Sequence, residues 1–543
     1  MLTSIREPCD ESVIHSRPAS APCSKFAGRW VLVATTLASS MAFIDSTVVN
    51  VALPALQTNL NATIVDVQWV IEAYSLLLSA LLLVGGSLGD HYGRRRVFLI
   101  GVALFAVAST WCGLAPNIHQ LIAARAAQGL GAALLVPGSL AIISSSFPES
   151  DRGRAIGTWS GFSAITTAIG PVIGGWLIEH LSWRAIFFIN VPIALLIIII
   201  SLWRVPESSD KESKGLDWLG AILITFGLGA LVYGLIESSQ LGLGDRSVLA
   251  ALIAAAILLS AFLIFEARHP NPMLPLALFR SRTFTGANLL TFLLYGALGG
   301  SLFFFPLNLI QVQHYSATAA GAAFLPFILI IFLLSRWAGG LVEKYGSKIP
   351  LVIGPLIAAL GFALFMLPGL NAGYWQSFFP AVAVLGTGMA VSVAPLTTTV
   401  MNSVAPNHVG IASGVNNAVA RGAGLLAIAV LGIVMLHSFN HAIDRRLAEV
   451  SAPPAAWQSL EAQRSKLAGA SLPEELDQMT RQLIGQAIGE SFGRIRSGAA
   501  PKFFKKRNRL SLARVFQICA RPPPLNRSPC SEPSVLSPKP RRS

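Results

Sequence analysis

Charged residues are scarce in this chain of 543 residues: Asp, Glu, Lys and Arg make up 12% of it, against 53% hydrophobic residues. A soluble domain carries about 25% charged residues, so the composition excludes an ordinary soluble protein and predicts an integral membrane protein. A signal peptide is not expected, because the first 29 residues are polar and no small-residue cleavage site follows the first apolar segment.

The motifs of the common catalytic and metal sites are also absent from the sequence. The five cysteines show neither C-x-x-C pairing nor metal-ligand spacing and are expected to be ordinary thiols. There is no G-x-x-x-x-G-K-[ST] phosphate loop, no H-E-x-x-H helix and no nucleophile elbow. The sequence therefore predicts no enzyme, no cofactor and no metal, and any uphill transport would have to be driven by an ion gradient.

Thirteen apolar segments are long enough, or nearly so, to cross a hydrocarbon core of about 30 Å, and they predict an all-α fold. They cover residues 30–51, 69–88, 97–114, 121–147, 155–178, 185–203, 216–236, 248–265, 284–309, 319–342, 349–367, 378–401 and 411–436. The short loops on one side carry seventeen Lys and Arg residues, and those on the other side only Arg184 and Arg246. The positive-inside bias then predicts a cytoplasmic N-terminus.

The formal net charge of +14 is concentrated at the end of the chain. Residues 494–543 hold thirteen Lys and Arg against one acid, Glu532, which leaves +2 for the rest. Without a basic helix or interleaved aromatic residues, the chain is not expected to bind nucleic acid. The expected partners are the lipid bilayer, a small-molecule substrate and protons.

An internal repeat organises the chain. The segment G-S-L-G-D-H-Y-G-R-R-R begins at residue 86, and G-G-L-V-E-K-Y-G-S-K repeats its pattern 253 residues later. A short loop that recurs in corresponding places indicates a duplicated transporter. The loop residues of interest are Gly86, Asp90, Gly93, Arg94 and Arg95 in the first copy and Gly339, Glu343 and Gly346 in the second.

The first copy of the loop predicts a conformational latch. Basic residues at a cytoplasmic helix end follow the positive-inside bias, and that bias alone accounts for the arginines. It does not account for Asp90 at fixed spacing from three glycines, which allow tight turns and close helix approach. Asp90 is expected to accept hydrogen bonds from a facing Arg or a helix N-terminus in one conformation only.

The repeat divides the chain into two six-helix bundles with two inserted helices between them. The predicted parts are a cytoplasmic N-terminal segment (1–29), a first bundle (30–203), a linker with the two inserted helices (204–266), a second bundle in which five spans are found and a sixth is missing (284–436), an extracytoplasmic helical loop (437–493) and a basic tail rich in Pro, Ser and Arg (494–543).

Three charged residues at membrane depth predict a proton-coupling site. Asp45, Arg125 and Glu72 lie in the outer parts of segments 1, 4 and 2, so that two acids and a base share one layer. Charge at this depth costs about 2.5–3.5 kcal/mol on insertion scales, which makes these residues functional candidates. A carboxylate whose basic partner moves between two states can load and release a proton. In the alternative, Arg125 and Glu72 extend to the interface and Asp45 bonds a neighbouring helix.

Segment 5 carries the sequence G-P-V-I-G-G. Pro171 is expected to kink this helix, while Gly170, Gly174 and Gly175 let a partner backbone approach closely. Ordinary helix packing is the alternative explanation.

Four stretches, in order, resemble the Major Facilitator Superfamily over residues 25–490. Residues 86–96 resemble its signature loop, and L-x-x-x-R-x-x-Q-G-x-G, from Leu121 to Gly131, matches a motif of its helix 4. Residues 170–175 match the antiporter motif of its helix 5, and residues 45–54 resemble helix 1 of its drug:proton antiporters. The two inserted helices are typical of the fourteen-helix branch.

The resemblance implies export by alternating access, with protons entering as the solute leaves. It implies that Asp45 and Arg125 couple transport to protons, that Asp90 and Arg94 belong to the gate, and that residues 170–175 form the antiporter helix. Ser347 stands where the family has a base in the second loop, which predicts a weaker second latch.

The leading hypothesis is a proton-coupled exporter of lipophilic or multidrug-type small molecules in a bacterial inner membrane. The alternatives are an exporter dedicated to one metabolite, a membrane sensor that transports nothing, and an inactive, truncated remnant of a transporter. The sequence does not identify a periplasmic adaptor or an outer-membrane channel as a partner.

The tail departs from the family pattern. Where a fourteenth span of about 20 apolar residues is expected, the chain reads S-G-A-A-P-K-F-F-K-K-R-N-R. Thirteen spans would place this basic segment outside, against the positive-inside bias. One hypothesis is that it binds anionic lipid. The favoured hypothesis is that residues 494–543 are read in a shifted frame and the native last helix is lost, which resequencing of the coding region tests.

Overall fold

The computed structural model describes residues 25–209, 217–270, 272, 274–365, 367–368, 373–404 and 409–450. The predicted tail at 494–543 and most of the predicted loop at 437–493 lie outside these residues. The regular elements of the described residues are helices, without a strand, which confirms the predicted all-α class.

Thirteen long helices are described. They are α1 (Lys25–Asn59), α2 (Ile64–Tyr92), α3 (Arg94–Leu114), α4 (Ile118–Ser146), α5 (Glu149–His180), α6 (Asn190–Arg204), α7 (Trp218–Leu241), α8 (Arg246–Arg268), α9 (Arg282–Leu307), α10 (Leu325–Gly339), α11 (Lys348–Leu364), α12 (Phe379–Asn402) and α13 (Val409–Val450). Shorter pieces are the helical turns Ala185–Phe188, Leu276–Arg280, Ala317–Ala322 and Leu341–Tyr345 and the π-helical turns Asn308–Val312 and Tyr374–Phe378.

Twelve helical stretches of the described chain are long and apolar enough to cross a membrane, so the predicted count of thirteen spans is too high by one. The exception is α11, which is apolar but has only 17 residues, because it ends at Leu364 and not at the predicted residue 367. At the other extreme, α13 continues to Val450, beyond the predicted end of its span at residue 436.

Polar side chains define where several helices begin. At the start of α2, the Thr63 hydroxyl accepts the Asp66 N–H at 3.1 Å and the Asp66 carboxylate accepts the Thr63 N–H at 2.8 Å. This reciprocal capping box satisfies two backbone donors that the helix leaves open. Asn117 caps α4 and Asp217 caps α7, each by one hydrogen bond from a backbone N–H to its side chain, of 3.0 and 2.8 Å.

The two bundles repeat the same packing. In the first bundle α4 packs on α2 and α3 and α5 packs on α1; in the second α12 packs on α10 and α11 and α13 packs on α9. Glycines mark equivalent contacts: Gly131 abuts the Phe105 backbone, and Gly388 abuts the Ala358 backbone 253 residues after Phe105. The duplication therefore extends from the loops into the helix interfaces.

The sixth helix of the first bundle, α6, packs on α1 and α3. In the part of the chain that is described, no helix occupies the corresponding place against α9 and α11.

The inserted helices α7 and α8 pack on each other and join the bundles through α7, which lies against α2 and α13. The Trp69 indole on α2 donates to the Glu237 carboxylate on α7 at 3.0 Å. The inserted pair is therefore attached at the seam between the two bundles.

Candidate functional site

Asp45 on α1 and Arg125 on α4 form an ion pair in the interior of the first bundle. The Arg125 guanidinium donates directly to the Asp45 carboxylate. The Arg125 side chain is 1% exposed and the Asp45 side chain 0%. The sequence places both residues in one layer, and the structure brings them into contact. Because an isolated charge here would be costly, the contact gives each charge a partner of opposite sign.

Amide side chains complete the coordination of Asp45. The Gln128 amide donates to Asp45 Oδ1 at 2.8 Å, and the Asn190 amide donates to the same oxygen at 3.1 Å. Gln128 Oε1 in turn accepts from Arg125 at 2.6 Å, and Ser109 Oγ accepts from Asn190 at 2.9 Å. The network thus joins α1, α3, α4 and α6, and both oxygens of the Asp45 carboxylate accept hydrogen bonds.

The guanidinium of Arg125 is enclosed on its other sides. Its Nε donates to the Val70 carbonyl on α2 at 3.1 Å, and its Cζ lies 4.3 Å from the centre of the Tyr74 ring. Arginine holds its charge in such a place because it does not deprotonate in proteins.

Glu72 does not join this network, although the sequence places it in the same layer. It is 0% exposed, and neither of its carboxylate oxygens has a hydrogen-bond partner among the described residues. Residues two apart on a helix do not face each other, so Glu72 turns away from the side of α2 on which Val70 and Tyr74 meet Arg125. It shares its side with Gln68, whose amide donates to the Ile428 carbonyl on α13 at 3.4 Å.

An ion pair stabilises the loop of residues 86–96. Asp90 pairs with Arg94 four residues later, with both Nε and Nη2 of Arg94 at 2.8 Å from Asp90 Oδ1. Asp90, in the last turn of α2, therefore accepts from an Arg at the N-terminus of α3, which is a partner of the kind that the sequence predicts. That the contact forms in one conformation only stays a prediction. Between Asp90 and Arg94, Gly93 has a φ of +107°, a conformation that favours glycine.

Glu207, in the linker after α6, is a loop partner that sequence reasoning missed. Its carboxylate accepts the Arg95 N–H at 3.0 Å and lies 3.6 Å from the Arg96 guanidinium. The Arg94 N–H donates to the Ser208 carbonyl at 2.8 Å. The sequence signal for such a contact is the run of three arginines at residues 94–96 together with the acidic residues of the linker, which include Glu207.

Gly93 also provides the space for this contact. A Cβ at this residue would lie 2.8 Å from Glu207 Oε1 and would adopt an unfavourable φ. We expect Gly93→Ala to detach the linker, to speed tryptic cleavage at Arg95 and Arg96, and to slow transport. Gly242→Ala is the matched control, because Gly242 also has a positive φ of +82° but no atom within 4 Å of the added carbon. Equal cleavage rates in Gly93→Ala and the unaltered chain would contradict the proposed contact.

The glycines of the predicted antiporter helix, α5, contact both bundles. Gly170 and Gly174 face Ile44, Thr47 and Val48 on α1. Gly175 abuts the Ala317 carbonyl of the second bundle, and the Pro171 carbonyl abuts Gly321 there. The motif therefore lies where a close approach of backbones joins the two halves.

The second copy of the loop is built differently. Gly346 keeps the turn, with a φ of +72°, but a Cβ there would have no atom within 4 Å. Gly339 ends α10. The Glu343 side chain lies outside the part of the structure that is described. The weaker second latch stays a prediction.

Three hydrogen bonds between described residues of the two halves lie at one end of the molecule. Gln311 donates to Gln57 at 2.6 Å, Gln68 donates to the Ile428 carbonyl, and the Thr318 N–H donates to Glu179 at 3.3 Å. All three contacts lie at the end opposite the loop of residues 86–96. The halves are therefore joined at the end remote from that loop.

Comparison with known proteins agrees with this architecture. The family model described as Major Facilitator Superfamily matches residues 35–428. "Multidrug resistance protein Stp" of Mycobacterium tuberculosis (strain ATCC 25618 / H37Rv) is 35% identical over 405 residues, which cover 74% of this chain and 75% of that protein. "Tetracenomycin C resistance and export protein" of Streptomyces glaucescens is 33% identical over 449 residues, 81% of this chain and 82% of that protein.

Solved structures support the fold alone. A bacterial homologue of the human lysosomal transporter Spinster, in an inward-facing and unoccupied conformation, superposes with a TM-score of 0.61 at 18% identity and covers 87% of this chain and 94% of that one. The resemblance inferred from the four sequence motifs is confirmed by the family match and the relatives. These comparisons do not test the predicted roles of individual residues.

Proposed function

Because this chain belongs to the Major Facilitator Superfamily, we propose that it is a secondary active exporter of lipophilic small molecules that is driven by protons. The observation that carries the proposal is the enclosed Asp45–Arg125 pair, an ionisable group at membrane depth that a transporter can protonate. The names of the relatives, which include multidrug and antibiotic resistance proteins, support drug-like substrates. We place the chain in a bacterial inner membrane with its N-terminus and the 86–96 loop in the cytoplasm, as the basic residues of the loops indicate.

Proton coupling follows from the coordination of Asp45. Three side chains donate to the carboxylate in this conformation. A movement of α4 away from α1 would remove Arg125 from Asp45, and the isolated carboxylate would then take up a proton. Glu72, without a described partner, is a second carboxylate that a proton would neutralise.

Alternating access follows from the contacts between the halves. With the loop of residues 86–96 in the cytoplasm, the hydrogen bonds at the opposite end close the outer side. If these hydrogen bonds broke and the end that carries the loop closed, the interior between the bundles would open to the outer side of the membrane. The glycine contacts of α5 with both bundles provide a pivot for this exchange.

Inside-out membrane vesicles test the function. When their lumen is acidified, vesicles that carry the chain are expected to accumulate a lipophilic dye, and dissipation of the proton gradient should release it. Vesicles without the chain are the control. A panel of toxic compounds applied to cells with and without the gene then distinguishes a broad exporter from one dedicated to a single metabolite. Failure to accumulate any compound under a proton gradient would contradict the proposal.

Asp90 is expected to govern the rate of exchange and not substrate affinity, since it lies at the loop end, away from the membrane interior. Asp90→Ala removes the carboxylate that holds Arg94 at 2.8 Å. The transport rate should fall several-fold while equilibrium binding of substrate stays within twofold. Asp245→Asn is the control, because it removes the charge of a partly exposed acid outside the loop and keeps a residue that can cap α8. A loss of binding equal to the loss of transport would count against a latch.

A further inference from the structure

Arg421 on α13 is a charged residue that the Asp45 site does not use. It lies ten residues after the start of the predicted span 411–436, about 15 Å into the membrane, and its side chain is partly exposed. None of the four ion pairs between described residues includes Arg421, and its guanidinium has no hydrogen-bond acceptor among them. A cation at this depth is costly without an anion. Arg421 is therefore a candidate to recognise an anion that the described chain does not supply.

Arg421 lies on the side of α13 that faces the first bundle. Ile428 and Gly432 follow it by seven and eleven residues, so the three share one side of the helix. The Ile428 carbonyl accepts from Gln68 on α2, and a Cβ at Gly432 would meet the same Gln68 amide. The charge of Arg421 also acts on the Tyr74 hydroxyl of α2. Arg421 therefore faces the space between the two bundles.

This space is on the open side of the contact between the bundles. The helix α13 runs parallel to α9, because Asn416 accepts from Thr291 at 2.7 Å and, further along both helices, Leu431 lies beside Gly300. The chain that follows α9 then bonds the first bundle at the joined end. Since Arg421 comes seven residues before the contact of α13 with α2, it lies about 10 Å nearer to the loop end. A molecule that enters from the loop end can thus reach it.

The two cations of the interior have different surroundings. Arg125 donates to Asp45 and lies against the Tyr74 ring, with its Cζ 4.3 Å from the ring centre. Glu72, on the same helix as Tyr74, is 0% exposed, and neither of its oxygens has a described partner. This acid therefore does not balance Arg421 by direct contact. An anion that bound Arg421 would leave the Asp45–Arg125 pair intact.

We propose that Arg421 binds the carboxylate or sulfonate group of a lipophilic organic anion that enters from the cytoplasm. A guanidinium presents paired N–H donors that match the oxygens of such a group. A lipid headgroup is not the source of the anion, because headgroups lie at the interface and Arg421 lies about 15 Å inside it. The binding itself does not depend on the proposed function; that the bound anion is also exported does.

Export of an anion suits exchange for protons. An anion that leaves the cell and a proton that enters it move charge in the same direction, and a membrane potential that is negative inside favours both movements. Export of an uncharged molecule gains from the proton alone. A membrane potential is therefore expected to accelerate export of an anion more than export of its uncharged analogue.

Two fluorescent probes that differ by one sulfonate test the proposal. The first, 1-anilinonaphthalene-8-sulfonate, is an anion, and the second, N-phenyl-1-naphthylamine, is the same molecule without the sulfonate. With the full chain in phosphatidylcholine nanodiscs, the anion should bind saturably above the level of empty nanodiscs. Arg421→Gln should weaken its affinity roughly tenfold or more and leave that of the uncharged probe within about twofold. Arg421→Lys, which keeps the charge, should bind the anion more tightly than Arg421→Gln.

Arg246→Gln is the matched control, because it makes the same chemical change at an exposed residue of α8. Its affinity for the anion should equal that of the unaltered chain. A thermal unfolding midpoint near the original value shows that Arg421→Gln is folded. Affinity of Arg421→Gln for the anion within twofold of the unaltered chain would overturn the site. Equal weakening of both probes would overturn it too, because the sulfonate would then contribute nothing.

Inside-out vesicles separate this site from the proposed function. If the unaltered chain binds the anion but its vesicles accumulate neither probe under a proton gradient, the proposed function fails and the site stands. If the vesicles accumulate the anion and Arg421→Gln accumulates it equally well, the site fails and the proposed function stands.

Discussion

Asp45→Asn and Arg125→Ala are each expected to abolish proton-driven efflux while the protein still reaches the membrane. Asp45→Asn keeps a polar side chain that can hydrogen-bond to Gln128 and Asn190 but cannot carry a proton on and off. Arg125→Ala removes the cation whose approach and departure would set the protonation of Asp45. In vesicles with a proton gradient, both variants should lower the initial efflux rate to the level of vesicles without the chain.

Counterflow separates coupling from general damage. Exchange of labelled for unlabelled substrate in the absence of a gradient needs only alternating access, so Asp45→Asn should retain part of it. Asp245→Asn is the matched control, since it makes the same chemical change at a partly exposed helix cap outside the site. It should leave efflux unchanged. Normal proton-driven efflux in both Asp45→Asn and Arg125→Ala would refute the coupling role.

The sequence was sufficient to predict that Asp45 and Arg125 lie close together, because their membrane depth and their opposite charges leave few other partners. Both residues interrupt apolar segments at the same level, and an unpaired charge there is costly. Gln128 could have been predicted with them, since it follows Arg125 by one helical turn within the matched motif. Asn190 gave a weaker signal, as a single amide at the start of an apolar segment. Ser109 gave none, because a hydroxyl can bond to its own helix backbone.

Glu72 shows that the depth of a residue in the membrane does not determine which side chains it contacts. Hydropathy fixes how far along a helix a residue lies, but not which neighbour it faces. The direction depends on how α2 is rotated against α4 and α13, which results from packing at positions such as Gly129, opposite the Tyr74 backbone. Glu207 was missed for a related reason: it contacts the loop across 112 residues of chain, and no periodicity links the two segments.

Motifs predicted the fold class and the repeat better than the exact spans. The end of α11 is an example, because the apolar segment predicts a span to residue 367 and the described helix ends at Leu364.

Removal of Asp45 alone is expected to destabilise the protein far more than removal of both charges. Asp45→Leu leaves the Arg125 guanidinium in a site that is 1% exposed, where it cannot lose its charge. Breaking a buried pair from one side costs about 3–5 kcal/mol, whereas replacing both partners with apolar residues is often neutral. Arg125→Met should be milder than Asp45→Leu, because the carboxyl that remains can take up a proton.

Thermal unfolding of the purified chain in one detergent measures this difference. The midpoint should fall most in Asp45→Leu, less in Arg125→Met, and return close to the original value in the Asp45→Leu/Arg125→Met double variant. The double variant should nevertheless lack proton-driven efflux, which separates the contribution of the pair to stability from its role in transport. Equal destabilisation in Asp45→Leu and the double variant would show that the cost comes from lost packing and not from the unpaired charge, since only the charge is relieved by the second substitution.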